Sequence, residues 1–433
     1  MSILDLLPIL ITVFGFYMLI KLRFFFLIHP LKTARKMLSL FRDKSSRASL
    51  FLALAGTLGV GNIVGVAYGI SVGGVGSVFW ILISSLFAAV IKYSESTLAA
   101  DKKECGPGGM MYVVKSSFIK IGGALGSVYA VLCIFLSFSM GSALQSQSFV
   151  ASVKSSKIPE CVIALMFAIP IIFVIKGGAE KISTATSIVI PIATIVYVFM
   201  CLSVIFINAG ELPAAIKKIF SEAFNFRSMT GGVSAFFGAK AIKEGYARGL
   251  LSNEAGAGTS AMAQSRSNMP CAEVGLLGIL EVFFDTTLLC TLTGLAVAVS
   301  GIDAGAYLGG IEIISAVFSN TLGNTSAAVL TVLIFAFAFS TVICWYYYGT
   351  ECLQYLFGSR KSKTYTVLFV FFALSGFMIS QDTLITVSDV ILFLMSVITL
   401  FTLYKNSERI VTLSEWHGLL KKSDFGKRRK AKR

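Results

Sequence analysis

The stretch LAGTLGVGNIVGVA, residues 54–67, lies inside a long apolar run and carries residues that a continuous membrane helix avoids. Gly56, Gly59 and Gly61 are interleaved there with Thr57 and Asn62. Glycine costs about 1 kcal/mol relative to alanine in a helix interior. Unwound backbone at membrane depth is tolerated only where it is buried in protein or lines a cavity. The stretch therefore reads as a break within a spanning helix. The half beginning near Asn62 exposes unpaired N–H groups and a positive dipole end that suit a carboxylate. The half ending near Ala55 to Leu58 exposes carbonyls that suit a small cation. Gly61, Gly65 and Gly69 also form a small-xxx-small face, so close helix packing is the competing explanation.

The surrounding composition belongs to the membrane. Of 433 residues, 56% are hydrophobic and 14% charged, against about 25% charged in soluble domains, and the mean hydropathy is +0.82. Apolar runs fall at about 3–28, 49–71, 76–100, 124–152, 159–175, 185–208, 230–247, 271–300, 325–349, 364–380 and 383–404. With roughly 20 apolar residues needed per span, these runs predict an all-α polytopic membrane protein of about eleven transmembrane helices. The eight cysteines are scattered without CxxC or CxxH spacing, so neither a disulfide nor a metal centre is expected. His29 and His417 lie in basic stretches at the ends of apolar runs. With no histidine inside a span and no nucleophile–base motif, an enzyme is not expected. A channel would need a repeated filter or pore-lining rings, which the sequence does not show.

The formal charge of +15 is explained by orientation. If the spans alternate from an external N-terminus, 32 of the 37 Lys and Arg fall on the cytoplasmic side, and Lys154, Lys157, Lys217, Lys218 and Arg227 fall outside. That asymmetry predicts an N-out, C-in topology. Residues 1–48 then form an N-terminal helix and basic cytoplasmic loop, and 405–433 a basic cytoplasmic tail. The tail's KRRKAKR suits anionic lipid head groups, and no nucleic-acid partner is expected. Residues 212–226, within an external segment 209–229, alternate apolar and charged residues as an interfacial amphipathic helix does. Residues 301–324 read as a long outer loop.

A second glycine-rich interruption, Thr230 to Gly238, lies in the seventh run. The two interruptions fall in the first members of two groups of five spans, 49–208 and 230–404. Five is odd, so the second group is inverted relative to the first, as in transporters built from inverted repeats. Thr57, Gly59, Gly61, Asn62, Gly232 and Phe236 are the candidate substrate positions at the breaks.

At these residues the chain resembles the alanine or glycine:cation symporter family. The matching stretches include GTLGVGN (56–62), GSALQSQS (141–148), RGLLSNEAGAGTSA (248–261) and FAFSTVICWYYYGTECLQYLFG (337–358). The resemblance implies a LeuT-like core of ten helices preceded by one extra helix. It also implies sodium-coupled import of alanine or glycine, with no other cofactor, in a bacterial inner or plasma membrane; the oligomeric state is open, and a monomer is expected to suffice for function. This sequence departs from the family at GGVGS (73–77), at GPGGMMYV (106–113) and at Ile398-Thr399, where the family has GGPGA, GGPMYY and Pro-Asn. A proton-coupled symporter of the same fold, or a drifted substrate, therefore stands as the alternative.

Gln145 and Gln147 lie in the middle of the fourth apolar run, and a buried amide there must face the bundle interior. The resemblance implies that Gln145 contacts substrate, and interhelical bonding is the other role open to it. It further implies that Ser340 and Thr341 complete a sodium site with the carbonyls of Ala55 and Leu58, an oxygen-only set that suits a hard cation. Back-bonding of both hydroxyls to their own helix is the alternative. Trp345 is similar to the family's tryptophan and can wall off a small substrate. Among the intramembrane acids, Glu95 is expected to pair with Lys92 one turn away. Glu281, Asp285 and Asp389 are either proton-relay groups or partners of bundle polar groups, and Glu254 is expected to hold an inner gate or loop.

Overall fold

The computed structural model describes residues 6–101, 108–153, 158–224, 240–307, 309–359 and 362–420. These residues form helices and no strands. The chain begins with α1 (Leu6–Lys21), which stops where Arg23 and Phe24 take left-handed backbone (φ 52° and 50°), and continues into α2 (Pro30–Leu40). Next come α3 (Lys44–Thr57) and α4 (Val60–Gly73), which meet at 65° and together make one broken span. The Asp43 carboxylate caps α3 by accepting from the Ser46 amide at 2.6 Å, and its two hydrogen bonds, from Ser45 and Ser46, hold its carboxyl below the usual carboxylate range.

The first half continues with α5 (Ser77–Asp101), α6 (Met110–Ser117), α7 (Gly122–Val153), α8 (Glu160–Ile175) and α9 (Gly178–Ile207). After α10 (Leu212–Ala223), the second half contains α11 (Lys240–Asn253), α12 (Ala261–Gln264), α13 (Cys271–Val299), α14 (Gly310–Leu322), α15 (Thr325–Phe357), α16 (Lys363–Met378), α17 (Gln381–Lys405) and α18 (Ser407–Trp416).

Among the described residues, α5, α7, α9, α13, α15 and α17 are each long and apolar enough to cross a membrane, and the α3–α4 pair makes a seventh crossing. Three other predicted spans, 3–28, 159–175 and 364–380, are the shorter apolar helices α1, α8 and α16. Sixteen residues, as in α1 and α8, extend about 24 Å, less than a hydrocarbon core of roughly 30 Å. The predicted run 230–247 lies partly outside the described residues, and its described part belongs to α11, which continues to Asn253.

The structure corrects the expected loop at 301–324, the placement of three cations and the partner of Lys92. The stretch expected to be a loop at 301–324 contains α14, because Ile313, Ile314, Val317 and Phe318 recur at helical spacing and are all buried. Lys240, Lys243 and Arg248, assigned above to the cytoplasmic side, sit at the opposite end of the bundle. A Cβ on Gly73 would lie 3.0 Å from the Lys240 carbonyl, and one on Gly69 would lie 2.8 Å from the Arg248 side chain. These contacts place the start of α11 beside the 74–76 turn, away from Ser46, whose hydroxyl is 3.0 Å from that of Ser267. Moving the three changes the charge split from 32 against 5 to 29 against 8, and its sense is unchanged.

A close helix approach positions the interior polar groups. Gly275 and Gly278 of α13 bring that helix onto α5 at Tyr93 and Lys92, where a Cβ on Gly278 would lie 2.6 Å from the Lys92 carbonyl. On the same surfaces the buried Lys92 ammonium pairs with Glu281 at 3.1 Å and donates to Ser260 Oγ at 2.7 Å. The ion pair is therefore between helices, not the local Lys92–Glu95 pair expected from the sequence. Glu95 instead accepts from the Gly256 amide at 2.8 Å. At the end carrying Lys44, α18 straps α1 and α5 through Tyr17–Ser407 at 3.0 Å, Arg23–Glu415 at 3.1 Å and Arg409–Asp101 at 2.6 Å.

Gly278→Ala should destabilise the folded protein in detergent by about 1–3 kcal/mol, the usual range for overpacking. Gly123→Ala, whose Cβ would meet nothing within 4 Å, should be neutral or slightly stabilising. Thermal unfolding of the two variants checks this, and equal midpoints would contradict the packing described.

Candidate functional site

The first break is built by glycine and held by two neighbouring helices. The Leu58 amide still bonds the Leu54 carbonyl at 2.6 Å, but the Gly59 amide turns back to Thr57 at 2.8 Å, and a single tight turn over Val60–Asn62 restarts the helix. Gly59 is extended, and a Cβ on it would lie 3.1 Å from Thr341 Oγ1 and 3.2 Å from Gln145 Oε1. The unwound backbone thus runs between α7 and α15.

Gln145 accepts from the Val60 amide at 3.4 Å and donates to the Met140 carbonyl at 3.1 Å. That carbonyl lies in a π-helical turn, Ser139–Ala143, of the kind that frees backbone groups at functional sites. From α15, Thr341 donates to the Leu58 carbonyl at 3.5 Å, Cys344 to Leu52 at 3.0 Å and Trp345 to Gly56 at 3.3 Å. Positions 341, 344, 345 and 348 share one helix face, and Tyr348 packs on Gly56. Ser340 instead bonds back to Ala336 at 2.8 Å, so only Thr341 of the pair faces the break.

The other predicted positions are distributed around this arrangement. Ala55 is fully buried at the end of α3. The Thr57 hydroxyl is buried with no hydrogen-bond partner. Gly61 faces open space, since a Cβ there would meet nothing within 4 Å. Gln147 is half-buried. Gly232 and Phe236, with the whole 230–238 interruption, lie outside the described residues.

The second half also carries an unwound segment among the described residues. Between α11 and α12 the chain unwinds at 254–260, where Glu254, Gly256 and Gly258 all have positive φ (53°, 92° and 72°). Gly256 and Gly258 take that conformation without the steric penalty a side chain imposes. The freed backbone is satisfied by side chains. The Gly256 amide bonds Glu95, the Tyr129 hydroxyl donates to the Ala257 carbonyl at 2.6 Å, and the Ala255 amide bonds Asn253 Oδ1 at 3.0 Å.

Asp285 joins the two breaks, and the sequence reading left its role open. It sits in a second π-helical segment, Phe283–Cys290. Its Oδ1 accepts from Asn62 at 2.5 Å, and its Oδ2 accepts from Ser252 at 2.9 Å and Thr286 at 2.6 Å. Asn62 also donates to Ser252 at 2.8 Å, and Asn253 to Thr286 at 3.0 Å. The start of α4 and the end of α11 are therefore tied through one buried carboxylate.

The model of the sodium:alanine symporter family matches residues 1–430. The chain belongs to that family. It is 32% identical over 401 residues to the sodium/alanine symporter AgcS of Methanococcus maripaludis, covering 88% of this chain and 87% of the relative. It is 29% identical over 376 residues to the probable sodium/glutamine symporter GlnT of Bacillus subtilis, covering 82% and 76%. Among solved structures it is similar to MhsT in complex with L-phenylalanine, with a TM-score of 0.56 at 14% identity over 89% of this chain and 94% of that one. That likeness shows the fold alone, which is LeuT-like. The chain is thus a multi-pass membrane transporter and not an enzyme.

If Asp285 couples the breaks, Asn62→Ala and Asp285→Ala should be non-additive. Thermal unfolding of both singles and the double variant should give an interaction energy of about 0.5–3 kcal/mol, and strictly additive shifts would contradict the tie.

Proposed function

We propose that the protein is a sodium-coupled symporter that imports alanine or glycine across a bacterial plasma membrane, with its N-terminus outside and its basic tail against cytoplasmic lipid head groups. The observation that carries this reading is the unwound Leu58–Gly59 backbone between Thr341 and Gln145. Sodium is held by the carbonyls of Ala55 and Leu58 and the hydroxyl of Thr341, with Ser340 joining when it releases Ala336. Hard oxygen ligands of this kind suit a small cation. The substrate carboxylate sits at the N-terminal end of α4, facing the amides from Gly59 to Gly61. Gln145, Thr57 and Asn62 supply polar contacts, and Gly232 and Phe236 complete the site from the second half. Trp345, locked to Gly56, limits the space to a small side chain. Transport alternates access around this site as the two broken spans rearrange. Similarity to a probable glutamine symporter favours, as a second reading, a larger amide-bearing substrate.

Uptake of labelled alanine and glycine into proteoliposomes tests the function. Accumulation should require an inward sodium gradient, and uptake driven equally without sodium would overturn the reading. Excess unlabelled glutamine should leave alanine uptake unchanged, and strong competition would favour the second reading. Thr341→Ala should raise the sodium concentration for half-activation roughly tenfold, about 1.4 kcal/mol. Gln145→Ala should raise the alanine KM by a similar factor.

A further inference from the structure

The buried charges around the second break do not balance. Glu95, Glu254, Glu281 and Asp285 are all buried, and Lys92 is the only fully buried ammonium or guanidinium beside them among the described residues. Lys92 is committed to Glu281 and Ser260, and Asp285 is surrounded by the hydroxyl and amide donors of Ser252, Thr286 and Asn62. Glu254 receives only Thr259 on Oε2 at 2.5 Å, and its Oε1 is buried with no partner. An ionised carboxylate in this setting, with no cation of its own, costs several kcal/mol.

Glu254 also lies on a cavity of about 170 Å³ between α1, α11 and α17, lined by Leu7, Leu250, Leu392 and Ser396. The same cavity reaches Glu244, Arg248 and Asp389 near the start of α11, the end of the bundle that carries the 74–76 turn.

We propose that Glu254 is a proton-binding site at the second break, loaded through the cavity between α1, α11 and α17. The proton is delivered by hydronium, adds to Oε1 and leaves a neutral carboxylic acid, with no other bond changed. Lys92 of α5 and Glu281 and Asp285 of α13 act electrostatically on Glu254, Glu254 in turn acts on Tyr129 of α7 and on Cys344 and Tyr348 of α15, and Glu95 of α5 accepts from Gly256 in the same segment. The cavity side adds Lys243, Glu244 and Arg248 from α11 and Asp389 from α17, while α1 contributes only Leu7 and Pro8. Glu254 Oε1, like Glu95 Oε2, is buried with no hydrogen-bond partner, and of the two carboxylates Glu254 is the one that lines the cavity. Protonation changes the charge of a segment that Lys92 holds at Ser260 and Glu95 holds at Gly256, so it biases how that segment is arranged. Its effect on flux rests on the transport reading above.

The test uses full-length protein in liposomes containing a pH-sensitive dye, with labelled alanine outside, a fixed sodium gradient and a clamped membrane potential. Wild type should acidify the interior in an alanine-dependent manner, and its uptake should vary with external pH. Glu254→Gln should lose the acidification and flatten the pH profile. Leu392→Phe, which fills the cavity and leaves Glu254 in place, should slow both. Sodium-driven uptake by wild type with no acidification and no pH dependence overturns the proton site and leaves sodium symport standing, as does a Glu254→Gln variant with the wild-type profile. If no gradient drives alanine uptake, the transport reading fails, and infrared difference spectra between acid and alkaline buffers decide the proton site separately. A protonated-carboxyl band lost in Glu254→Gln supports it, and a band unchanged in that variant overturns it. Should Glu254→Gln not fold, the wild-type dye trace and Leu392→Phe decide.

Discussion

Every backbone N–H and C=O within a membrane protein's interior needs a partner, and the architecture here follows from two stretches, one inside a span and one after α11, that decline to supply their own. At Leu58–Gly59 the missing intrahelical bonds are met by Gln145 and Thr341. At 254–260 they are met by Glu95, Tyr129 and Asn253. Each break is possible only because the helices around it present polar side chains at the right height. Those helices are in turn brought close by glycines such as Gly275 and Gly278.

The two breaks are mechanically connected. Asp285 ties Asn62 at the start of α4 to Ser252 at the end of α11, and Lys92 ties α5 to both Ser260 and Glu281. Gln264 bridges Ser96 to Glu281 beside that pair. A shift at one break is therefore felt at the other through short hydrogen bonds between side chains with few alternative partners. Such coupling is what alternating access around a central site requires.

Much of this was legible in the sequence. The first break announced itself because three glycines and two polar residues interrupt an otherwise apolar run, a pattern with few stable solutions in lipid. The long spans were legible from hydropathy, and the family from motifs spread along the chain. The unwound segment at 254–260 carries a comparable signature in SNEAGAG, which the sequence offered as a family motif rather than as a break, and the interruption expected at 230–238 lies outside the described residues. The partner of Lys92 was misjudged for a different reason. Helical spacing proposes Glu95 at i+3, whereas the close approach of α13 at Gly278 presents Glu281 directly, and no local rule anticipates an interhelical contact. Ser340 and Thr341 look equivalent in sequence, and only their rotation on α15 assigns one to the break and the other to Ala336.

The central claim is that the unwound Leu58–Gly59 segment holds cation and substrate side by side. Equilibrium binding of labelled alanine to the purified protein, titrated at several sodium concentrations with ionic strength held constant, tests it most directly. The account predicts that sodium tightens alanine binding and that alanine tightens sodium binding by the same factor, as linkage requires. Alanine binding of equal affinity with and without sodium would contradict it.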